Sequence, residues 1–366
     1  MKLLHIASFS GNVGDIINHE GFYSLIAHKN VEIDQLEIRK FYKNSQELRF
    51  DEKMLQYING FDGLILGGGG FFDVRWDDSN TGTTFDISED FISRINIPVL
   101  VNAMGIHIEY NKTIAIQKFE SFFKTIICKK NWMVTLRNDG SLSRVESLLK
   151  QRFNQSLVVP DNGFAFKQKP RSVIDNIVGL SITNDLFTNN FNGSIDLDSF
   201  NNGIAELCKH ILKQNNDIVF FIHAPQDIKV LNSLYCYLGN ELFRRRIKIA
   251  QFDPYTIDGA MSLDNMYSKC KYVIAMRFHG NVIAIKNKIP VIGLAGHEQI
   301  LGLYKELGLA NQCVVVNDGY LDRIIKLADL MNSEPNCYLR EQNKSLKIIK
   351  LEQEKYSERI IDFFKL

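Results

Sequence analysis

No two cysteines in this sequence are spaced C-x-x-C, and the six present (Cys128, Cys208, Cys236, Cys270, Cys313 and Cys337) stand singly. That scatter argues against a structural zinc site and for free thiols in a reducing compartment. Long apolar runs are lacking too. Stretches such as Ile218–Ile222 are far too short to span a bilayer. Charge of one sign is not in excess: 43 Lys and Arg against 42 Asp and Glu leave +1. No global field therefore draws in nucleic acid. Met1-Lys2-Leu3-Leu4-His5-Ile6 passes straight into a strand-like pattern, with no signal-peptide cleavage region. A cytoplasmic chain is the expectation. Neither glycine-rich loop has G-x-G-x-x-G spacing, which places a nicotinamide or flavin enzyme last among the readings.

What is present is a chain of 366 residues, 45% hydrophobic and 23% charged, comfortable for two domains. Short apolar runs alternate with helix-length amphipathic segments. The first-half runs are Leu3–Ala7, Gly63–Leu66, Val99–Met104, Trp132–Leu136 and Leu157–Val159. Those of the second half are Ile177–Ile182, Ile218–His223, Ile247–Phe252, Tyr272–Met276, Val291–Leu294 and Cys313–Val316. Strands separated by helices imply βαβ units and parallel sheets. The expected fold class is α/β, with two Rossmann-like domains facing a cleft. Residues 1–168 form the first domain and 172–337 the second. Lys167–Ser172 is the linker between them. Leu346, Ile349, Tyr356, Ile360 and Phe363 fall near helical spacing, so 338–366 reads as a helix that can cross back onto the first domain.

Candidate chemistry gathers at strand ends, where open α/β sheets bind ligands. Tyr272–Met276 runs into Arg277-Phe278-His279-Gly280. If the strand stays extended, Arg277 and His279 point the same way, because side chains alternate with period two. Arg offers a permanently charged fork for phosphate or carboxylate, and His moves protons near neutral pH. The helix starting at His279-Gly280 offers its N-terminus to the same anion. A buried Arg–carboxylate pair is the competing reading of Arg277. After the next strand come His297 and Glu298, placed on the same rim.

Three further loops follow the same logic. Gly11-Asn12-Val13-Gly14-Asp15 succeeds the first strand, and its glycines let backbone approach a ligand; Asp15 capping the helix is the alternative. Gly67, Gly68, Gly69 and Gly70 end another strand, and their N–H groups suit a phosphate cradle or close packing against a helix. Arg137, at the end of Trp132–Leu136, can bind an anion or pair with Asp139, with Ser141 capping the next helix. The acid-rich stretch Asp73–Asp90 reads as a solvated loop with a cap at Ser88, or as a lid; no metal is assigned.

Taken together, these motifs resemble the polysaccharide pyruvyl transferase family. The resemblance rests on Gly11–Asp15, Gly67–Gly70, Thr135–Ser141, Val159-Pro160-Asp161 and Arg277–Gly280 followed by Ile289-Pro290-Val291-Ile292, over about residues 1–310. It implies a glycosyltransferase-B-like pair of Rossmann domains. It also implies transfer of a pyruvyl group from phosphoenolpyruvate to two hydroxyls of a sugar, with phosphate released. No cofactor is implied beyond that donor. The acceptor implied is a glycan or its lipid- or nucleotide-linked precursor, which leaves room for peripheral membrane association. Arg277 and His279 take the donor-binding and catalytic positions, and Arg137 a further donor contact. Acceptor-side base work falls to Asp15 or Glu298, with His279 as acid. One departure stands out: family members often carry a Tyr and, three residues on, a Lys where Gly296 and Gln299 stand here. The rival readings are a nucleotide-sugar glycosyltransferase on the same fold and a non-catalytic carbohydrate-binding relative.

Overall fold

The computed structural model describes residues 1–42, 47–167, 176–184 and 195–366. It divides into two compact units. The first comprises Met1–Phe9, Asn18–Phe166 and Leu351–Leu366, and the second Ser10–Ile17 with Lys167–Lys350. Of the expected linker only Lys167 is described; Gln168–Ser172 lies outside the described residues.

In the first unit the strands are β1 (Lys2–Ala7), β2 (Glu32–Glu37), β3 (Gly63–Gly67), β4 (Phe72–Val74), β5 (Val99–Met104), β6 (Ile106–Ile108), β7 (Trp132–Arg137) and β8 (Val158–Val159). Six of them make a sheet in the order β2-β1-β3-β5-β7-β8, and β4 pairs with β6 alone. All these pairings are parallel. The apolar runs of β1, β3 and β5 are buried on both faces, which is why they read as continuous rather than alternating. One face packs on Phe72, Phe119 and Phe123. The other packs on Phe22, Ile26, Tyr356, Ile360 and Phe364.

The second unit holds β9 (Ile177–Ser181), β10 (Asp217–Ile222), β11 (Ile247–Gln251), β12 (Tyr272–Ala275), β13 (Val291–Ala295) and β14 (Cys313–Val315). Their order is β11-β10-β9-β12-β13-β14, again all parallel. Numbered from its own first strand this is 3-2-1-4-5-6, the doubly wound order. The direction in which successive strands are added reverses between β9 and β12. In the first unit the corresponding point lies between β1 and β3. Loops leaving the C-terminal ends of these strands are where such sheets bind ligands.

Three expectations are corrected. Residues 10–17 group with the second unit, because Gly11 N donates to Pro254 O at 3.0 Å and Val13 N to His223 O at 3.0 Å. The last helix is longer than expected, Pro335–Phe364. Its residues to Lys350 belong to the second unit and those from Leu351 to the first, with Phe364 rather than Phe363 fully buried. The stretch Asp73–Asp90 is not a solvated loop: Ser79, Thr81, Thr83, Phe85 and Ile87 are buried in it, although Ser88 does cap the helix Glu89–Arg94. Among the described residues no helix is long and apolar enough to cross a membrane.

Candidate active site

Strand β12 is wholly buried and ends at Ala275. The amide of Asn281 then closes the turn, donating to Ala275 O at 3.1 Å and Arg277 O at 2.9 Å. The helix Phe278–Lys286 begins immediately, with Arg277 as its N-terminal flanking residue. The period-two argument for Arg277 and His279 therefore fails: His279 is already the second residue of a helix. They are neighbours through the turn instead. Gly280 packs tightly here: a Cβ on it would lie 3.0 Å from both Ser181 Oγ and Tyr267 Oη, so those side chains would have to give by a few tenths of an ångström.

Arg277 is anchored by Asp227, a fully buried carboxylate. Arg277 Nε donates to Asp227 Oδ1 at 3.0 Å, and Nη2 also binds Oδ1. Asp227 further accepts from the backbone N–H groups of His223 (3.0 Å) and Ala224 (3.2 Å). His223 Nε2 lies 2.8 Å from Tyr267 Oη. The competing reading of Arg277, a buried ion pair, thus describes its resting contacts.

Burial pushes His223 down to about 3, against the pull of Asp227. His5, buried between Tyr23 Oη and Gly67 O, is likewise held well below its usual 6.5. Unfolding exposes both imidazoles, so below 6.5 the unfolded state binds more protons and stability rises with pH there. Stability should accordingly fall as pH drops from about 6.5 toward 3. Urea midpoints measured at descending pH check this, and His223→Gln should show a shallower decline.

The first loop reaches this turn. Gly11 takes φ +77°, a conformation other residues rarely adopt. Asn12 is the cap of the helix Val13–Ile26, with its Oδ1 accepting from Gly14 N at 3.0 Å. Asp15, whose alternative reading was the cap, sits half-buried in the first turn, 3.4 Å from Asn12 Nδ2. Gly14 packs directly on His279: a Cβ there would be 2.3 Å from His279 Nδ1 and 2.7 Å from its Cβ. Two motifs far apart in sequence therefore meet within one unit.

Other candidates do not join this cluster. His297 is buried and caps the helix Glu298–Glu306, its Nδ1 accepting from Gln299 N at 3.2 Å. Glu298 is exposed in that helix's first turn, and no hydrogen bond or ion pair among the described residues joins it to Arg277 or His279.

In the first unit, Arg137 is 2% exposed and lies 2.8 Å from Asp139 Oδ2 and 3.5 Å from Asp161 Oδ2. Asp139 also takes Arg144 at 3.2 Å and the Ser141 hydroxyl. Ser141 is not the cap; Gly140 occupies that place. Arg137→Ala would break a buried ion-pair cluster, which costs about 3–5 kcal/mol. A large drop in the urea midpoint is expected, irrespective of any ligand.

The glycine loop divides by role. Gly67 and Gly68 take φ +93° and +95°. A Cβ on Gly68 would lie 2.8 Å from Asn18 Oδ1, so close packing demands a bare Cα there. Gly69 packs on Phe71, whereas Gly70 is exposed with open space around it.

Two Rossmann-like units, with an Arg–His turn at the reversal point of one, define a glycosyltransferase-B-like α/β class. The S. aureus MnaA–UDP structure matches with TM-score 0.57 and 12% identity, over 100% of this chain and 96% of that one. Anabaena Alr3699/HepE in complex with UDP and glucose matches with TM-score 0.54 and 9% identity, over 100% and 99%. Such identities speak for fold alone. The sequence matches the polysaccharide pyruvyl transferase family over residues 12–298, and the chain belongs to that family. It is a transferase enzyme. No curated protein is similar enough to count as a match.

Proposed function

We propose that the protein transfers the pyruvyl group of phosphoenolpyruvate to two hydroxyls of a sugar, forming a ketal and releasing phosphate. The observation that carries this reading is the packing of Gly14 on His279, which brings Asp15 and the first loop beside the Arg277 turn. Arg277 and the N-terminus of the helix Phe278–Lys286 bind the donor's anionic groups. His279, in acid form, gives a proton to the methylene carbon, leaving an electron-poor C2. A sugar hydroxyl adds there and loses its proton to Asp15. The second hydroxyl then attacks C2 and gives its proton to the now neutral His279, while phosphate leaves with the C2–O bond pair and takes up the proton held by Asp15. Arg137, paired with Asp139 and Asp161 in the first unit, is given no step in this scheme. The acceptor is a glycan or its lipid- or nucleotide-linked precursor, and the reaction runs in the cytoplasm, where phosphoenolpyruvate is available.

The test is incubation with phosphoenolpyruvate and a set of sugar acceptors. Phosphate release that requires the sugar, with pyruvate attached to the product, is expected. Consumption of a nucleotide sugar with phosphoenolpyruvate untouched would overturn the reading and favour a glycosyltransferase.

A further inference from the structure

We propose that Asp227 is a positioning residue of this site. It holds Nε and Nη2 of Arg277 and so fixes the plane in which the guanidinium meets an incoming anion. The inference rests on the reading that an anionic donor binds there.

A buried carboxylate is costly unless its lone pairs are satisfied, and Asp227 is wholly buried. Two backbone N–H groups, from His223 and Ala224, fix it independently of Arg277. A guanidinium is planar, so binding Nε and Nη2 fixes the plane and hence the direction of Nη1. The same segment ties down the other parts of the site. His223 O accepts from Val13 N at 3.0 Å, holding the first loop, and His223 Nε2 meets Tyr267 Oη at 2.8 Å. His223–Asp227 is thus one brace behind the first loop, Arg277 and the end of the helix Ile257–Tyr267.

The pairing has an electrostatic consequence. Asp227 compensates the charge of Arg277, so the brace supplies orientation rather than net attraction. Asp227→Asn keeps the side-chain volume and an oxygen for the backbone donors, but removes the charge and the two-point grip. Donor affinity should then stay within about threefold or tighten, while kcat falls about 10²-fold through misplacement. A merely structural role would lower thermal stability and leave kcat per folded molecule unchanged.

The experiment pairs calorimetry and turnover with phosphoenolpyruvate with NMR of the Arg277 Nε–H in the ligand-free protein. Retained donor binding, reduced kcat and faster Nε–H exchange in Asp227→Asn would support the brace. Wild-type kcat in the variant, or unchanged Nε–H exchange, would overturn it. If the wild-type protein binds no phosphoenolpyruvate, the donor reading fails and Nε–H exchange alone decides: faster in the variant supports the brace, equal rates overturn it.

Discussion

His279→Gln is expected to lower turnover by about 10²–10⁴-fold, the usual worth of a positioned general acid. Phosphoenolpyruvate binding should survive, because Arg277 and the helix N-terminus hold the donor in the proposed scheme. Glutamine preserves polarity and much of the volume but cannot deliver a proton. Phosphate release gives kcat, and calorimetry gives the donor affinity of the same preparation. Near-normal kcat with intact binding would remove His279 from the acid role. Loss of binding with unchanged kcat would make it a binding residue instead.

The second large effect is expected from Gly14→Ala. An added Cβ would come within 2.3 Å of His279 Nδ1 and 2.7 Å of its Cβ. Because the root of the side chain is struck as well as the ring, rotation alone cannot relieve the clash. Nor can the loop easily retreat, since Gly11 and Val13 are bonded to Pro254 and His223. Either His279 or the loop must shift, and displacement of about 1 Å at a reacting group costs roughly 10²-fold. Stability should change far less. Gly14 lies in the first turn of the helix Val13–Ile26, where Ala is favoured over Gly by up to about 1 kcal/mol. That offsets part of an overpacking cost of about 1–3 kcal/mol. The variant should therefore be folded but nearly inactive, as thermal melting beside turnover would show. Wild-type activity in Gly14→Ala would mean that His279 need not hold this position.

Every strand expected from an apolar run is present, and those buried on both faces of a parallel sheet, such as β3, β5, β12 and β13, leave a continuous signal. The misses share a cause. Strand β2 reads Glu-Ile-Asp-Gln-Leu-Glu at an edge of its sheet, half solvated, so no run marks it. Strands β4 and β6 are three residues each. Arg277 and His279 were legible as a pair, though the geometry that joins them is a helix start rather than an extended strand. Asp227 and His223 were not singled out. Their signal was there: β10 ends in Ile222 and is followed at once by His223-Ala224-Pro225-Gln226-Asp227, the same layout as Ala275 and the Arg277 turn. That Asp227 finds Arg277 is decided by tertiary packing. So is the grouping of residues 10–17 with the second unit, since hydrogen bonds to Pro254 and His223 leave no trace in local sequence. For Arg137 the paired reading prevailed, because Asp139 and Asp161 are brought to it by two strand ends side by side.

The central claim is that Arg277 sits in a site for phosphoenolpyruvate. Its most direct test is calorimetric titration of the wild-type protein and Arg277→Ala with phosphoenolpyruvate, alongside nucleoside diphosphates such as UDP. Saturable phosphoenolpyruvate binding that Arg277→Ala abolishes is the predicted result. Saturable binding of a nucleoside diphosphate with no phosphoenolpyruvate signal would contradict it.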